Sequence, residues 1–348
     1  MNKKFLIIFF ALFLFFICNF RDIKSNSKGR FLLSKKPTDT DVKSINSIDV
    51  INIYSFDLNG EKQDKLTSGE GSDYDATWSP DGKMIAFVSN RDTISNSKWD
   101  IYTVNENGSN LKRITFFESY ITHLTWSPDG EKIIFISNMS NIMDIFTINI
   151  DGNNLKNLTQ NNFFDKNPVW SPDGQKIAFL TNRDGGSTCY IMNSDGSNQK
   201  RLLKKNVLCS DPPSWSPDGK MIVCNYNNNI AIINVEDLSE RNIFKIDLEP
   251  NLFCGNPQWS PDGKWIVYEA NDPGKDITDI CIYDVKTLKS ERITTGSWYI
   301  EPKWAKDNKN IFFFSPKYEN DLYIYNLDTK SKKRISNNDL IDRHISIK

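Results

Sequence analysis

Residues able to do covalent or metal chemistry are few in this chain and far apart. It has two histidines, His123 and His344, so one chain cannot build a metal site on three imidazoles. The string nearest to a serine nucleophile turn, Gly185-Gly186-Ser187-Thr188-Cys189, lacks the closing glycine and falls between two predicted strands. There is no phosphate-binding loop and no glycine-rich dinucleotide fingerprint, so no cofactor is expected. The six cysteines, Cys18, Cys189, Cys209, Cys224, Cys254 and Cys281, include no Cys-x-x-Cys pair, so no zinc site of common spacing is expected. The many acidic residues sit mostly in predicted turns and single out no acid–base pair. The expectation is a chain without catalysis of its own.

What does recur is Trp-Ser-Pro-Asp-Gly, starting at Trp78, Trp126, Trp170, Trp215 and Trp259, with a degraded copy at Trp304-Ala305-Lys306-Asp307-Asn308. The steps between tryptophans are 44 to 48 residues, the signature of an array of one small unit. Within the pentapeptide, Pro presets φ for a tight turn, Asp bonds its own backbone and Gly closes the turn. After Trp126 come an apolar run, Ile133–Ile136, a loosely alternating run, Asp144–Asn149, a hairpin turn at Asp151-Gly152, and a short run ending at Thr159. The unit thus reads as four antiparallel strands, a to d, one blade of an all-β propeller, with the Trp packed between blades.

The tryptophans suggest six blades, but the ends change the number. Arg30–Ser34, Asp49–Tyr54 and Asp64–Thr67 read as strands b, c and d of a blade without strand a. The tail Asp342–Lys348 falls where every other unit has strand a, so it is expected to complete the first blade and leave no open edge. Seven blades are favoured; six with an unpaired hairpin is the alternative.

The pattern Trp-Ser-Pro-Asp-Gly-Lys-x-Ile-Ala-Phe at Trp78–Phe87 resembles the TolB-like propeller repeat, a WD-like unit. Asn90-Arg91-Asp92 and Asn182-Arg183-Asp184-Gly185 are similar to the loop after strand b in that family, as are Asp100-Ile101-Tyr102 and the Arg-Ile-Thr endings at 113–115 and 292–294. The resemblance covers roughly residues 28–348. It implies a β-propeller used for protein contacts in the bacterial envelope, and propellers of this type also gate oligopeptidases.

Loops entering strand a surround one mouth of a propeller, and binding residues favour such loops. Six residues before each Trp stand Ser72, Tyr120, Phe164, Cys209, Phe253 and Trp298, with Tyr299 beside the last. Three before stand Asp75, His123, Asn167, Pro212, Asn256 and Glu301. An aromatic ring over a polar throat suits capture of a protein or peptide. The candidate partner-binding residues are therefore Tyr120, Phe164, Phe253, Trp298, Tyr299, Asp75, His123, Asn167, Asn256 and Glu301. The alternative is an envelope enzyme acting on a glycan or peptide at this mouth, or a gating subunit of a separate peptidase. Cys209 and Cys254, close to the same face in adjacent blades, are the candidate disulfide; Cys189, Cys224 and Cys281 read as buried thiols.

Lys and Arg number 43 against 44 Asp and Glu, a formal net charge of −1, which gives no bias toward nucleic acid. The basic residues of the d strands (Lys112, Arg113, Lys200, Arg201) read as charged sheet edges that discourage pairing between molecules, so a monomer is expected. Lys3-Lys4 followed by the apolar run Phe5–Phe20 reads as a secretory signal or membrane anchor over residues 1–20, with Cys18 a candidate lipidation site. Residues 21–29 then form a polar tether and 30–348 the propeller. An exported protein, periplasmic or held at the cell envelope through its N-terminal segment, is expected.

Overall fold

The computed structural model describes residues 29–35, 50–58, 60, 62–92, 98–117, 119–204, 207–242, 252–296, 298–315, 321–335 and 345–347. The expected signal or anchor, Cys18 and His344 lie outside them. Every regular element among the described residues is a strand, and the strands form seven antiparallel sheets of four. These are the seven blades.

Blade 2 shows the unit. Its strands a to d are Asp73–Trp78, Met84–Ser89, Asp100–Asn105 and Lys112–Arg113. The pentapeptide joins a to b, and each of its residues has a task. Ser79 Oγ donates to Asp81 Oδ1 (2.8 Å) and accepts from Met84 N (2.9 Å), while Lys83 N donates to Asp81 Oδ1 (3.1 Å). Gly82 adopts φ +66°, a left-handed conformation that costs other residues energy. Along the array, a Cβ on Gly130 would touch Pro80, one on Gly174 would touch Pro128, and so on through Gly263 and Pro217. Four of the five pentapeptide glycines thus pack on the preceding blade's proline.

The core is distributed over the joints. Seven apolar clusters each join two consecutive blades. Each of the six repeat tryptophans packs in such a joint. Trp126 Nε1 donates to the Thr77 carbonyl (3.1 Å), and Trp215 Nε1 does the same to Val169 (3.1 Å). These two indoles satisfy their polar atom on the neighbouring blade while burying their rings, as Trp304 does on the Gln258 carbonyl (3.3 Å).

Blade 1 is composite. Its strands b, c and d are Arg30–Lys35, Asn52–Asp57 and Gln63–Lys65, and its strand a is Ile345–Ile347. Phe31 pairs with Ile347 and Leu33 with Ile345. Strand c starts three residues later than the sequence suggested, because Arg30 faces Asp57 and Lys35 faces Asn52. Ser346 Oγ accepts from Trp78 N (3.3 Å), as Ser214 Oγ does from Trp259 N (3.2 Å). Ile347 therefore occupies the place of a repeat tryptophan in this blade.

Candidate functional site

Strand a of each blade runs toward its pentapeptide, so the loops entering strand a and those joining strands b and c share the opposite face. Asparagines of the b–c loops hold the entering loops in place. Asn138 Oδ1 accepts from Tyr120 N (3.2 Å), Asn182 Oδ1 from Phe164 N (2.9 Å), and Asn227 Oδ1 from Leu208 N (2.9 Å). The arginine that follows is a brace. Arg91 Nη2 lies 2.7 Å from both carboxylate oxygens of buried Asp73, and its guanidinium is 5.4 Å from the rings of Phe87 and Tyr102. Arg183 repeats this with Asp165 (3.2 Å) and Tyr190 (4.7 Å). Paired, hydrogen-bonded charges of this kind are tolerated in a buried loop base.

On this face apolar side chains stand exposed. Phe164 and Phe253 are exposed, and Trp298 is 40 % exposed with its Nε1 donating to the Asp276 carbonyl (2.6 Å). Phe116, at 71 %, and Phe163 and Leu208 belong to the same set of loops. Tyr120 is half-buried, and burial together with the nearby Asp75 charge pushes its phenol above the ordinary range.

Below the rim, the polar residues three before each Trp occupy β-bulges. The register of strand a slips there in blades 2, 3, 4, 6 and 7. Asp75, His123, Asn167, Asn256 and Glu301 all take positive φ, between 46° and 60°. Asn, Asp and His are the types enriched in this conformation; Glu is not. In the fifth blade Pro212 takes the equivalent place and strand a shrinks to Ser214–Trp215. The bulges turn backbone N–H groups toward the preceding blade, where carboxylates receive them. His123 N donates to Asp75 Oδ2 (3.0 Å), Asn256 N to Asp211 Oδ2 (3.1 Å), and Glu301 N to Glu269 Oε1 (2.6 Å). These bonds tie blade 2 to 3, blade 5 to 6 and blade 6 to 7.

On one side of this throat a set of charged groups converges. Glu269 also accepts from Asn256 Nδ2 (2.7 Å). Burial, aided by the Asp211 charge, raises its carboxyl to about 7, against the hydrogen bonds from Glu301 and Asn256 and the charge of Lys303. Burial likewise raises Asp211 and lowers Lys166. A Cβ on Gly255 would lie 2.9 Å from Asp211 Oδ2 and 3.9 Å from Glu269 Oε2, so the glycine leaves the room in which the two carboxylates approach. At the pentapeptide end, the prolines 80, 128, 172, 217 and 261, with Lys306 in the sixth copy, line a cavity of about 350 Å³. Among the described residues no group of three or more His, Cys, Asp or Glu is placed to hold a metal ion.

The sequence model described as the TolB beta propeller domain matches overlapping stretches 38–212, 123–247 and 191–347. The chain belongs to the TolB β-propeller family. Among solved structures it is similar to TolB from Acinetobacter baumannii at 17 % identity, covering 85 % of this chain and 78 % of that one, with a TM-score of 0.56. It is similar to an oligogalacturonate lyase from Vibrio parahaemolyticus at 15 % identity (88 % and 86 % covered, TM-score 0.63). A prolyl endopeptidase matches at 10 % identity with TM-score 0.67; the match covers 93 % of this chain and 49 % of that one. At these identities the likeness is one of fold. No curated protein matches the chain.

Within this TolB-family propeller the expected residues divide. Phe164, Phe253 and Trp298 stand on the loop rim, and Tyr120 sits half-buried among them. Asp75, His123, Asn167, Asn256 and Glu301 come together as the bulge positions of the throat. Tyr299 does not join the rim. It is 5 % exposed, packs edge-on against Phe313 and Tyr323, and carries Lys332 over its ring at 4.3 Å. Strand alternation sends it into the joint between blades 6 and 7 while Trp298 points outward. The Cys209–Cys254 disulfide is also corrected, since both are free, buried thiols. Cys209 lies in the joint of blades 4 and 5, and Cys254 in the joint of blades 5 and 6, so the sheet of blade 5 stands between them.

The sequence reading missed Asp211, Glu269, Lys166 and Lys303. A signal existed for Glu269. Ten residues after the Trp the repeats read Val88, Ile136, Leu180, Asn225, Glu269 and Phe314. The two polar exceptions both bond to the next blade, Asn225 Nδ2 donating to the Cys254 carbonyl (2.6 Å) and Glu269 accepting from Glu301 N.

Proposed function

We propose that this TolB-family propeller is an exported, envelope-associated scaffold that captures a protein or peptide partner at its loop face, without catalysis of its own. The observation that carries this reading is the apolar rim of Phe116, Phe163, Phe164, Leu208, Phe253 and Trp298, exposed on the loop face, where Asn182 and Asn227 hold the backbone of Phe164 and Leu208. Exposed apolar groups on braced loops favour association, because little ordering remains to be paid for on binding. The throat carboxylates support a structural rather than catalytic task, since Asp75, Asp211 and Glu269 each hold a backbone N–H of the next blade. The similarity to TolB from Acinetobacter baumannii accords with such a scaffold.

The test is crosslinking capture from a membrane fraction with the intact N-terminus, comparing wild type with Trp298→Ala. Partner recovery should fall several-fold while the melting temperature stays close to wild type; a large loss of stability with unchanged recovery would refute the reading. A second reading, a propeller enzyme, is favoured by one feature: a carboxyl titrating near 7 beside another acid is what general acid catalysis uses. Turnover of a glycan or peptide that Glu269→Gln abolishes, with the fold intact, would favour it instead.

A further inference from the structure

Phe31 stands opposite Ile347, as Ile85 stands opposite Trp78, so the start of strand b in blade 1 lies level with the pentapeptide turns. The six copies of the turn, five intact and one degraded, serve blades 2 to 7, and among the described residues blade 1 begins with Gly29 and Arg30 at the level of that turn. The residues preceding them in sequence are the polar stretch 21–28 and the apolar run Phe5–Phe20. Nine residues separate Phe20 from Arg30, a reach of at most about 35 Å when fully extended. The six-residue strands are themselves about 20 Å tall, with loops beyond them. A tether leaving the pentapeptide face would have to stretch almost completely to let the loop face meet the same surface.

We propose that the pentapeptide face is the membrane-proximal face of the propeller, so that the bilayer holding the N-terminal segment lies beneath the proline ring and the apolar loop rim points away from it. This rests on the membrane-associated reading above and adds its orientation. The partner-binding rim is then presented outward, to proteins of the compartment or of an opposing surface, and is not shielded by the chain's own membrane.

The five described native cysteines are buried, which makes added surface cysteines addressable. The full chain is reconstituted in phosphatidylcholine–phosphatidylglycerol vesicles carrying a trace of acceptor-labelled lipid. A donor dye is attached at Lys264→Cys, beside the pentapeptide of blade 6, or at Asn162→Cys, on the loop face, where both native side chains are exposed. Labelled wild type supplies the baseline from Cys18. Energy transfer should be several-fold higher from position 264 than from 162. Lys83→Cys, equally exposed beside the pentapeptide of blade 2, repeats the measurement should the first variant fold poorly. Vesicle-bound protein with equal or reversed transfer overturns the orientation and leaves the tether intact. Protein that does not float with the vesicles overturns both.

Discussion

Replacing Glu269 by Gln tests whether the throat is held together by a carboxyl kept away from its ordinary titration range. In the folded chain burial raises this group from 4.5 to about 7. The proton therefore binds the folded state more tightly than the unfolded one. Stability from this group is fully present below pH 4.5 and is lost as pH rises through 7. One pKa unit corresponds to about 1.4 kcal/mol, so the ionised carboxylate costs the fold about 3 kcal/mol above pH 7. Glutamine keeps an oxygen to accept from Glu301 N and Asn256 Nδ2 but never ionises. It also gives up the attraction of Lys303, which reduces the gain. Urea midpoints of wild type and Glu269→Gln at pH 4.5, 6, 7 and 8 should be close at pH 4.5 and diverge upward, the variant becoming the more stable by up to about 3 kcal/mol with an unchanged slope. Comparing the two proteins cancels titrating groups not coupled to Glu269, Asp279 among them. Parallel midpoints across the series, or a variant weaker at pH 8, would refute the reasoning.

Trp170→Ala, which empties a 2 % exposed position in the joint of blades 3 and 4, should cost about 3–5 kcal/mol in urea unfolding. Alkylation without reductant, read by peptide mass, should leave Cys189, Cys209, Cys224, Cys254 and Cys281 unmodified in the native protein and modify all five in urea; a Cys209–Cys254 pair still unmodified in urea would restore the disulfide. Burial pushes the Cys254 and Cys281 thiols up to about 12, which slows their native reaction further. Truncation before Ile345 should lower the melting temperature and introduce concentration-dependent association on sizing columns, because it bares the edge of Arg30–Lys35 and removes Ile347 from the joint of blades 7 and 1.

The blades were legible because their signals are local. Pro, Asp and Gly fix a turn within five residues, and alternation fixes which way a strand faces, so the pentapeptide spacing led to six sheets and the strand-like runs at the two ends to the seventh. The throat was harder, because its contacts join blades about 45 residues apart in sequence. Asp211 looks like a turn acid until Asn256 N is found 3.1 Å away. The bulge was half visible, since Asp75, His123, Asn167 and Asn256 are types enriched at positive φ, but Pro212 and Glu301 at the same position concealed it. Tyr299 and Cys254 were misplaced for one shared reason: a one-residue offset along a strand exchanges its two faces, and counting back from the Trp does not resolve a single residue across a bulge.

The entry of the chain into blade 1 at Gly29 also has a mechanical consequence. A pull on the chain at Gly29 enters the fold along Arg30–Lys35, a strand gripped on both sides, by Asn52–Asp57 outside and Ile345–Ile347 inside. Load along that direction shears both ladders at once instead of peeling one bond at a time. The seam where the ring is closed by separate ends of the chain is thus also the place where force would be shared between those ends, and rupture there would be a matter of rate, set by the unfolding barrier, more than of equilibrium stability.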